Sequence, residues 1–144
     1  MRPFHTIVLS LALLSPVAAI ADGIPATLYK NPQYGCCEGH AEYLRQNGFA
    51  VRVKASHDLP LINRENGVPP DLEGCHTILV GGYVVEGHVS AATIKRLLAE
   101  HPAVKGISLP GMPTGSPGMP GPKLEPFTIY TFGGDGGPQV FAVE

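Results

Sequence analysis

The stretch NPQYGCCEGH, residues 31–40, contains two adjacent cysteines, Cys36 and Cys37, and a histidine, His40. The apolar pattern predicts a helix that begins at Cys36, and the positive end of its dipole favours thiolate over thiol. Both cysteines are therefore expected to be unusually acidic. His40 shares a helix face with either sulfur, which allows a soft-metal chelate. The same spacing also fits a solvated surface histidine beside two partly buried thiols.

The chain has only one other cysteine, Cys75, so the three thiols cannot all pair. A disulfide between Cys36 and Cys37 would close a strained ring, and an oxidoreductase dithiol normally has a two-residue spacer. Cys75 could instead form a disulfide with one of them. This would close a loop of about 38 residues, for which the loss of chain entropy in the unfolded state gives a stabilisation of roughly 4 kcal/mol. That bridge would leave one acidic thiol unpaired. In the oxidising compartment that the N-terminal pattern described below predicts, such a thiol is open to oxidation unless a thiophilic metal binds it.

The elements that position these residues follow from apolar periodicity and turn residues. In chain order, the pattern predicts a strand at 26–29, a helix at 36–47, a strand at 49–55, a short helix after Asp58, a hairpin at 76–88 and a helix after Ser90. This order is that of a thioredoxin-like α/β fold, with a central mixed sheet and flanking helices.

In such a fold the loop before the hairpin faces the start of the first helix, so Cys75 and His76 are expected near Cys36 and Cys37. Thiolates favour Cu(I), and cysteine together with histidine also suits Zn(II). His88, at the end of the hairpin, belongs either to this site or to the core edge, bonded to backbone.

The last third of the chain is rich in glycine and proline, which make up 11 of the 21 residues at 106–126. No regular strand is expected there. The repeated tetrapeptide PGMP places Met112 and Met119 alike, either as packing residues or as further soft ligands. Residues 127–143 predict one more hairpin at the sheet edge, so 106–144 are expected to pack on the domain formed by 22–105.

Residues 1–21 have the pattern of a signal peptide, with Arg2, an apolar run and small residues before the cleavage point. The run contains Pro16 and is short for a membrane span, so it fits an anchor less well. Cleavage would leave 123 of the 144 residues, enough for one domain. The whole chain carries a formal charge of −2, which excludes a nucleic-acid surface or a polybasic membrane patch.

Three stretches, YKNPQYGCCEGH, GVPPDLEGCHTILVGGYVVEGHVSAATIKRLL and GISLPGMPTGSPGMP, resemble the CopG-like periplasmic copper-resistance family. The resemblance covers about residues 27–132 and implies a thioredoxin-like fold, a cysteine-based copper site and a part in periplasmic copper handling. The positions that correspond to the family's site are Cys36, Cys37, Cys75, His76 and His88. Where the family usually has a further cysteine and a tryptophan, this chain has Tyr34 and His40, a change that would harden the site.

The first hypothesis is a periplasmic protein that sequesters, transfers or redox-converts copper, with metal ions and other copper-handling proteins as its partners. Its metal ligands would be drawn from Cys36, Cys37, Cys75, His40, His76 and His88. A second hypothesis is a thiol-disulfide oxidoreductase that uses Cys36 or Cys37 with Cys75 as the resolving partner. A third is a structural domain in which one of those pairs forms a plain disulfide.

Overall fold

Residues 23–144, the part of the chain that the computed structural model describes, contain three α-helices and seven strands. The predicted signal peptide lies outside the described residues. The helices are α1 (Cys36–Gln46), α2 (Leu59–Glu65) and α3 (Ala91–Glu100), with a single 3-10 turn at Pro70–Leu72. The strands are β1 (Ile24–Lys30), β2 (Phe49–Ala55), β3 (His76–Val80), β4 (Tyr83–Glu86), β5 (Gly106–Ser108), β6 (Thr128–Phe132) and β7 (Val140–Val143).

The strands form one mixed sheet in the order β2-β1-β3-β4-β5-β6-β7. β1 runs parallel to β2, and β4 runs parallel to β5, because α1 and α3 carry the chain back between the paired strands. β3 and β4 form a hairpin whose two turn residues, Gly81 and Gly82, both have positive φ. β3 also pairs antiparallel with β1, so the end of β1 lies beside the start of β3.

Apolar side chains fill both faces of the sheet, and successive residues of a strand point to opposite faces. Val85 packs in the larger cluster, together with Leu44 of α1 and Leu97 of α3. Its neighbour Val84 packs in the smaller cluster with Phe132. Cys37 and Cys75 belong to the larger cluster, so these two cysteines are part of the core. Within residues 23–144, no helix has the length and apolar character needed to cross a membrane.

The helices and strands predicted before residue 101 lie at their expected places, with ends that differ by a few residues at most. Ser90 caps α3, since its Oγ accepts a hydrogen bond from the Thr93 N–H at 3.2 Å. Asp58 precedes α2 but makes no side-chain capping bond.

The expectation of no regular strand at 106–126 was wrong at its start, where β5 is buried between β4 and β6. These first three residues contain no proline. A Cβ on Gly106 would lie 2.0 Å from the Val84 carbonyl oxygen, so the strand depends on glycine for its close approach to β4.

Residues 109–120, which we call the strap, follow β5 in the chain and pack against the start of α1. The contact with α1 is made by two glycines: a Cβ on Gly39 would lie 2.8 Å from the Gly118 carbonyl oxygen. Within the strap, Ser116 is buried and its Oγ donates to the Pro113 carbonyl at 2.7 Å. The strap therefore packs backbone to backbone against the helix that carries the cysteine pair.

Replacing Gly118 by alanine should destabilise the protein more than the same change at Gly111. Both glycines have positive φ, at 81° and 71°, so the backbone strain of the two changes is matched. A Cβ at residue 118 would lie 2.3 Å from the backbone nitrogen of His40, whereas nothing lies within 4 Å of a Cβ at residue 111. We expect Gly118→Ala to lower the free energy of unfolding by a further ~1–3 kcal/mol, measured by urea denaturation. Equal losses in the two variants would contradict this packing.

Candidate metal centre

The three cysteines meet because of the pairing between β1 and β3. Lys30, the last residue of β1, lies opposite His76, the first residue of β3. α1 begins shortly after β1, and Cys75 directly precedes β3, so the start of the helix and Cys75 lie at one end of the sheet. The Sγ atoms of Cys37 and Cys75 are 3.4 Å apart. The prediction that Cys75 lies near the cysteine pair is confirmed.

Four side chains converge at this end of the sheet, and all three cysteines among them are free thiols. The donor atoms of Cys36, Cys37, Cys75 and His88 lie within 4.8 Å of one another. Three of the four residues are buried, and Cys36 is half-buried at the border with solvent. Three sulfurs and one imidazole form a donor set that suits Cu(I) or Zn(II).

His88 is held by the strap. Its Nδ1 lies 2.7 Å from the Pro117 carbonyl oxygen, which can only accept, so Nδ1 carries the proton in the neutral ring. The other nitrogen, Nε2, therefore carries a lone pair and lies 2.9 Å from the Cys75 sulfur. Of the two interpretations of His88, the structure combines both: it bonds to backbone and it faces the thiols.

His40 and His76 lie side by side behind the thiols. His40 is fully buried, so its interpretation as a solvated surface histidine was wrong. Its Nε2 is 2.9 Å from the Val89 carbonyl oxygen and its Nδ1 is 2.8 Å from Nε2 of His76. The Nδ1 of His76 lies 3.1 Å from the Cys75 sulfur. Both nitrogens of His40 thus have protein partners, and His76 stands between His40 and the thiols.

Burial and mutual contact separate the acidities of the three thiols. A hydrogen bond from the Cys75 thiol and the positive charge of Lys30 lower the pKa of Cys37. Burial and the charge of Cys37 raise the pKa of Cys36, while the hydrogen bond to Cys37 and burial raise that of Cys75. The expectation of two acidic cysteines is thus met by Cys37 and was wrong for Cys36, because burial and, after it, the negative charge of Cys37 disfavour a thiolate there.

The three histidines of this site, His40, His76 and His88, are neutral in the folded protein at neutral pH. Burial, together with the charge that His88 would carry, lowers the pKa of His40 to about 3. Burial likewise lowers the pKa of His76 and that of His88. The neutral imidazole is the form that binds metals, so the fold keeps these rings ready as donors.

Glu86 is a buried carboxyl group that the sequence reasoning missed. Its Oε1 accepts a hydrogen bond from the Gly74 N–H at 2.9 Å, next to Cys75, and its Oε2 has no partner among residues 23–144. Burial raises the pKa of Glu86 to about 8, so the group is largely protonated at neutral pH. The available signal was a lone glutamate in the apolar run before His88.

Lys30 was also missed as part of this site. Its side chain is only 7% exposed, and its Nζ lies 3.1 Å from Oε1 of Glu38, which is on the exposed side of α1. A buried ammonium group beside Cys37 offsets part of the negative charge that thiolates bring to the site. On the strap, Met112 is exposed and Met119 is half-buried.

Comparison with known proteins finds one matching family and two similar solved structures. A family described as proteins of unknown function, DUF411, matches residues 72–119, which contain Cys75, His76 and His88. Two solved structures, titled copper resistance protein copG form 2 and form 1, are each 32% identical to the chain. Each covers 85% of this chain over 98% of its own length, with TM-scores of 0.79 and 0.78. No curated protein matches.

Acidification should destabilise the metal-free protein between pH 6.5 and 5. Below the ordinary histidine pKa of 6.5, the imidazoles of the unfolded chain bind protons. In the folded protein the pKa values of His40, His76 and His88 are lowered, that of His40 to about 3, so these rings stay neutral to a lower pH. Each such group lowers the free energy of unfolding by up to about 1.4 kcal/mol per pH unit as pH falls. Glu86 acts in the opposite direction, because the folded state holds its proton up to about pH 8. The net loss should therefore be up to about 3 kcal/mol per pH unit.

Urea denaturation of the reduced, metal-free protein at pH 7, 6 and 5 measures this slope. His40→Gln removes one buried imidazole and should reduce the slope, whereas Leu124→Ala, at an exposed residue that does not titrate, should leave it unchanged. A free energy of unfolding that stays constant over this range would show that the buried rings are not held neutral.

Proposed function

Because the chain belongs to the CopG-like family of copper-resistance proteins, we propose that it binds copper and sequesters, transfers or redox-converts it. The proposed ligands are the thiolates of Cys36, Cys37 and Cys75 and the Nε2 of His88. The observation that carries the proposal is the convergence of these four donor atoms within 4.8 Å, with no disulfide among the three cysteines. Such a group of mostly buried thiols and a neutral imidazole is typical of a soft-metal site.

The chemistry of the donors favours Cu(I) over the harder ions. Three of the four donors are sulfur, which is the donor that selects Cu(I), while the imidazole also suits Zn(II). The pKa order of the thiols gives a sequence of events: Cys37 ionises first, and a bound cation would then displace the protons of Cys36 and Cys75. Metal binding should therefore release protons.

The outer residues of the site would play different parts. His76 borders the four donors through its Nδ1, so we include it as a further ligand or an orienting group. His40 was predicted as a ligand, but both of its nitrogens have protein partners, which supports an orienting role. Cys36 is the half-buried donor of the four, and we propose that copper enters and leaves past it, to and from other copper-handling proteins.

The finer fold and the location of the protein are part of the same proposal. A β-α-β unit followed by a hairpin and a helix supports a thioredoxin-like core at residues 22–105, with 106–144 packed on it as one domain. Residues 1–21 have the pattern of a cleaved signal peptide, which supports a periplasmic location. An oxidising compartment would explain why free thiols need a metal to protect them.

Anaerobic titration with Cu(I) against a chelator of known affinity tests the proposal. Wild type should take copper from the chelator, and Cys37→Ser or Cys75→Ser should weaken binding by at least about 100-fold, the upper end of what outer-shell changes cost. His88→Ala should also weaken it, because it removes the imidazole donor.

His57→Ala serves as the matched control, since His57 is an exposed histidine outside the cluster of four donors. It should bind copper as wild type does. The same titration with Zn(II) ranks the two metals. Weak binding that is the same in wild type and in the Cys37→Ser and Cys75→Ser variants would refute the proposal.

The second candidate, a thiol-disulfide oxidoreductase, has one observation in its favour. The sulfurs of Cys37 and Cys75 are 3.4 Å apart, and the pKa of Cys37 is lowered, as an attacking thiol requires. Reduction of a substrate disulfide would convert these two thiols into one disulfide and release two substrate thiols. Against it, both residues are buried, so a protein disulfide has little access to Cys37.

We expect the metal-free protein to reduce insulin disulfides, with dithiothreitol as electron donor, no faster than its Cys37→Ser variant. The physical reason is the burial of the only acidic thiol. Thioredoxin under the same conditions provides the positive control. Turnover by wild type that Cys37→Ser abolishes would favour the second candidate.

A further inference from the structure

A continuous series of contacts joins a backbone carbonyl of the domain to the Cys75 sulfur through two buried imidazoles. The Val89 carbonyl oxygen is 2.9 Å from Nε2 of His40, and Nδ1 of His40 is 2.8 Å from Nε2 of His76. Nδ1 of His76 then lies 3.1 Å from the sulfur. Both rings are fully buried, so desolvation favours their neutral forms.

The carbonyl oxygen at one end decides where every proton in this series lies. A carbonyl only accepts, so Nε2 of His40 must carry its proton, and the Nδ1 of the neutral ring is left as an acceptor. Nε2 of His76 must then donate to it, which leaves Nδ1 of His76 without a proton. The lone pair of that nitrogen faces the Cys75 sulfur.

We propose that His40 is a positioning residue: tied to the Val89 carbonyl, it holds His76 in its Nε2–H tautomer, so that Nδ1 is a fifth donor beside the four-donor site. The metal-binding consequence of this inference rests on the proposed function. The tautomer itself does not, because it follows from contacts in the metal-free protein.

The surroundings of Cys75 agree with a donor waiting for a cation. Two imidazole lone pairs face the sulfur, from Nε2 of His88 at 2.9 Å and from Nδ1 of His76 at 3.1 Å. The Cys75 sulfur carries a single thiol proton, for which the Cys37 sulfur at 3.4 Å also competes, so at most one of the two nitrogens receives it. The other is a buried acceptor without a donor, which is costly. A soft cation bound in place of the proton would give both nitrogens and the sulfur a partner.

Residue 40 must donate in one direction and accept in the other, and this sets the choice of variants. Glutamine can do both, since its amide nitrogen can donate to the Val89 carbonyl while its oxygen accepts from His76. Leucine fills a similar space with neither group. The pair His40→Gln and His40→Leu therefore separates the hydrogen-bonding role of His40 from its packing.

The tautomer of His76 can be measured directly by long-range ¹H–¹⁵N correlation spectra of the reduced, metal-free protein, with its signals assigned by their loss in His76→Asn. Wild type and His40→Gln should both show His76 protonated at Nε2 alone. His40→Leu should show His76 protonated at Nδ1 or averaged between the two tautomers. His57→Ala, at an exposed position, should match wild type.

Cu(I) competition provides the functional readout. His40→Gln should bind copper within about threefold of wild type, whereas His40→Leu should bind about 10–100-fold more weakly, the usual cost of losing an orienting partner.

Wild type with His76 protonated at Nδ1 would overturn the inference without any variant, even if His40→Leu does not fold. A His40→Leu variant that keeps both the wild-type tautomer and the wild-type affinity would also overturn it. Absence of copper binding in wild type would instead refute the proposed function, and the tautomer measurement would still decide the inference.

Discussion

The antiparallel pairing of β1 with β3 is the constraint on which the site depends. The two strands are separated by more than forty residues of chain, yet their register places Lys30 beside His76. Because α1 follows β1 and Cys75 precedes β3, the ladder brings the cysteine pair and the third cysteine to one place. No contact local to either segment could do this, so the convergence of the donor atoms is a consequence of sheet topology.

Burial then determines the protonation states of the assembled groups. Away from water, the neutral forms of His40, His76 and His88 are favoured, and Glu86 keeps its proton at neutral pH. One thiol of the three, Cys37, is made more acidic by its partner thiol and by Lys30. The site of the metal-free protein therefore carries little net charge, because Cys36 and Cys75 keep their protons and the three imidazoles and Glu86 are neutral.

Backbone carbonyl groups provide the orientation that side chains alone do not. Pro117, in the strap, accepts from His88, and Val89, just before α3, accepts from His40. Main-chain atoms are held by the fold, so each carbonyl directs its imidazole with little freedom. Gly118, which packs against α1 at Gly39, directly follows Pro117 in the strap. The Gly/Pro-rich segment therefore acts on the site through its backbone.

The sequence by itself determined the residue types that make the chemistry, the helix that begins at Cys36, the β3–β4 hairpin and the expected meeting of Cys75 with the cysteine pair. The helix and the hairpin follow from periodicity and turn residues, which are local properties, and the expected meeting of the cysteines follows from the order of the elements along the whole chain. Only the tertiary structure decided that His40 stands behind His76, that Cys36 is less acidic than Cys37, and that β5 is a buried strand. It also revealed Glu86 and Lys30 as neighbours of the thiols. The reason is physical: hydrogen-bond partners, desolvation and close backbone approach depend on atoms that are distant along the chain, and no spacing rule carries that information.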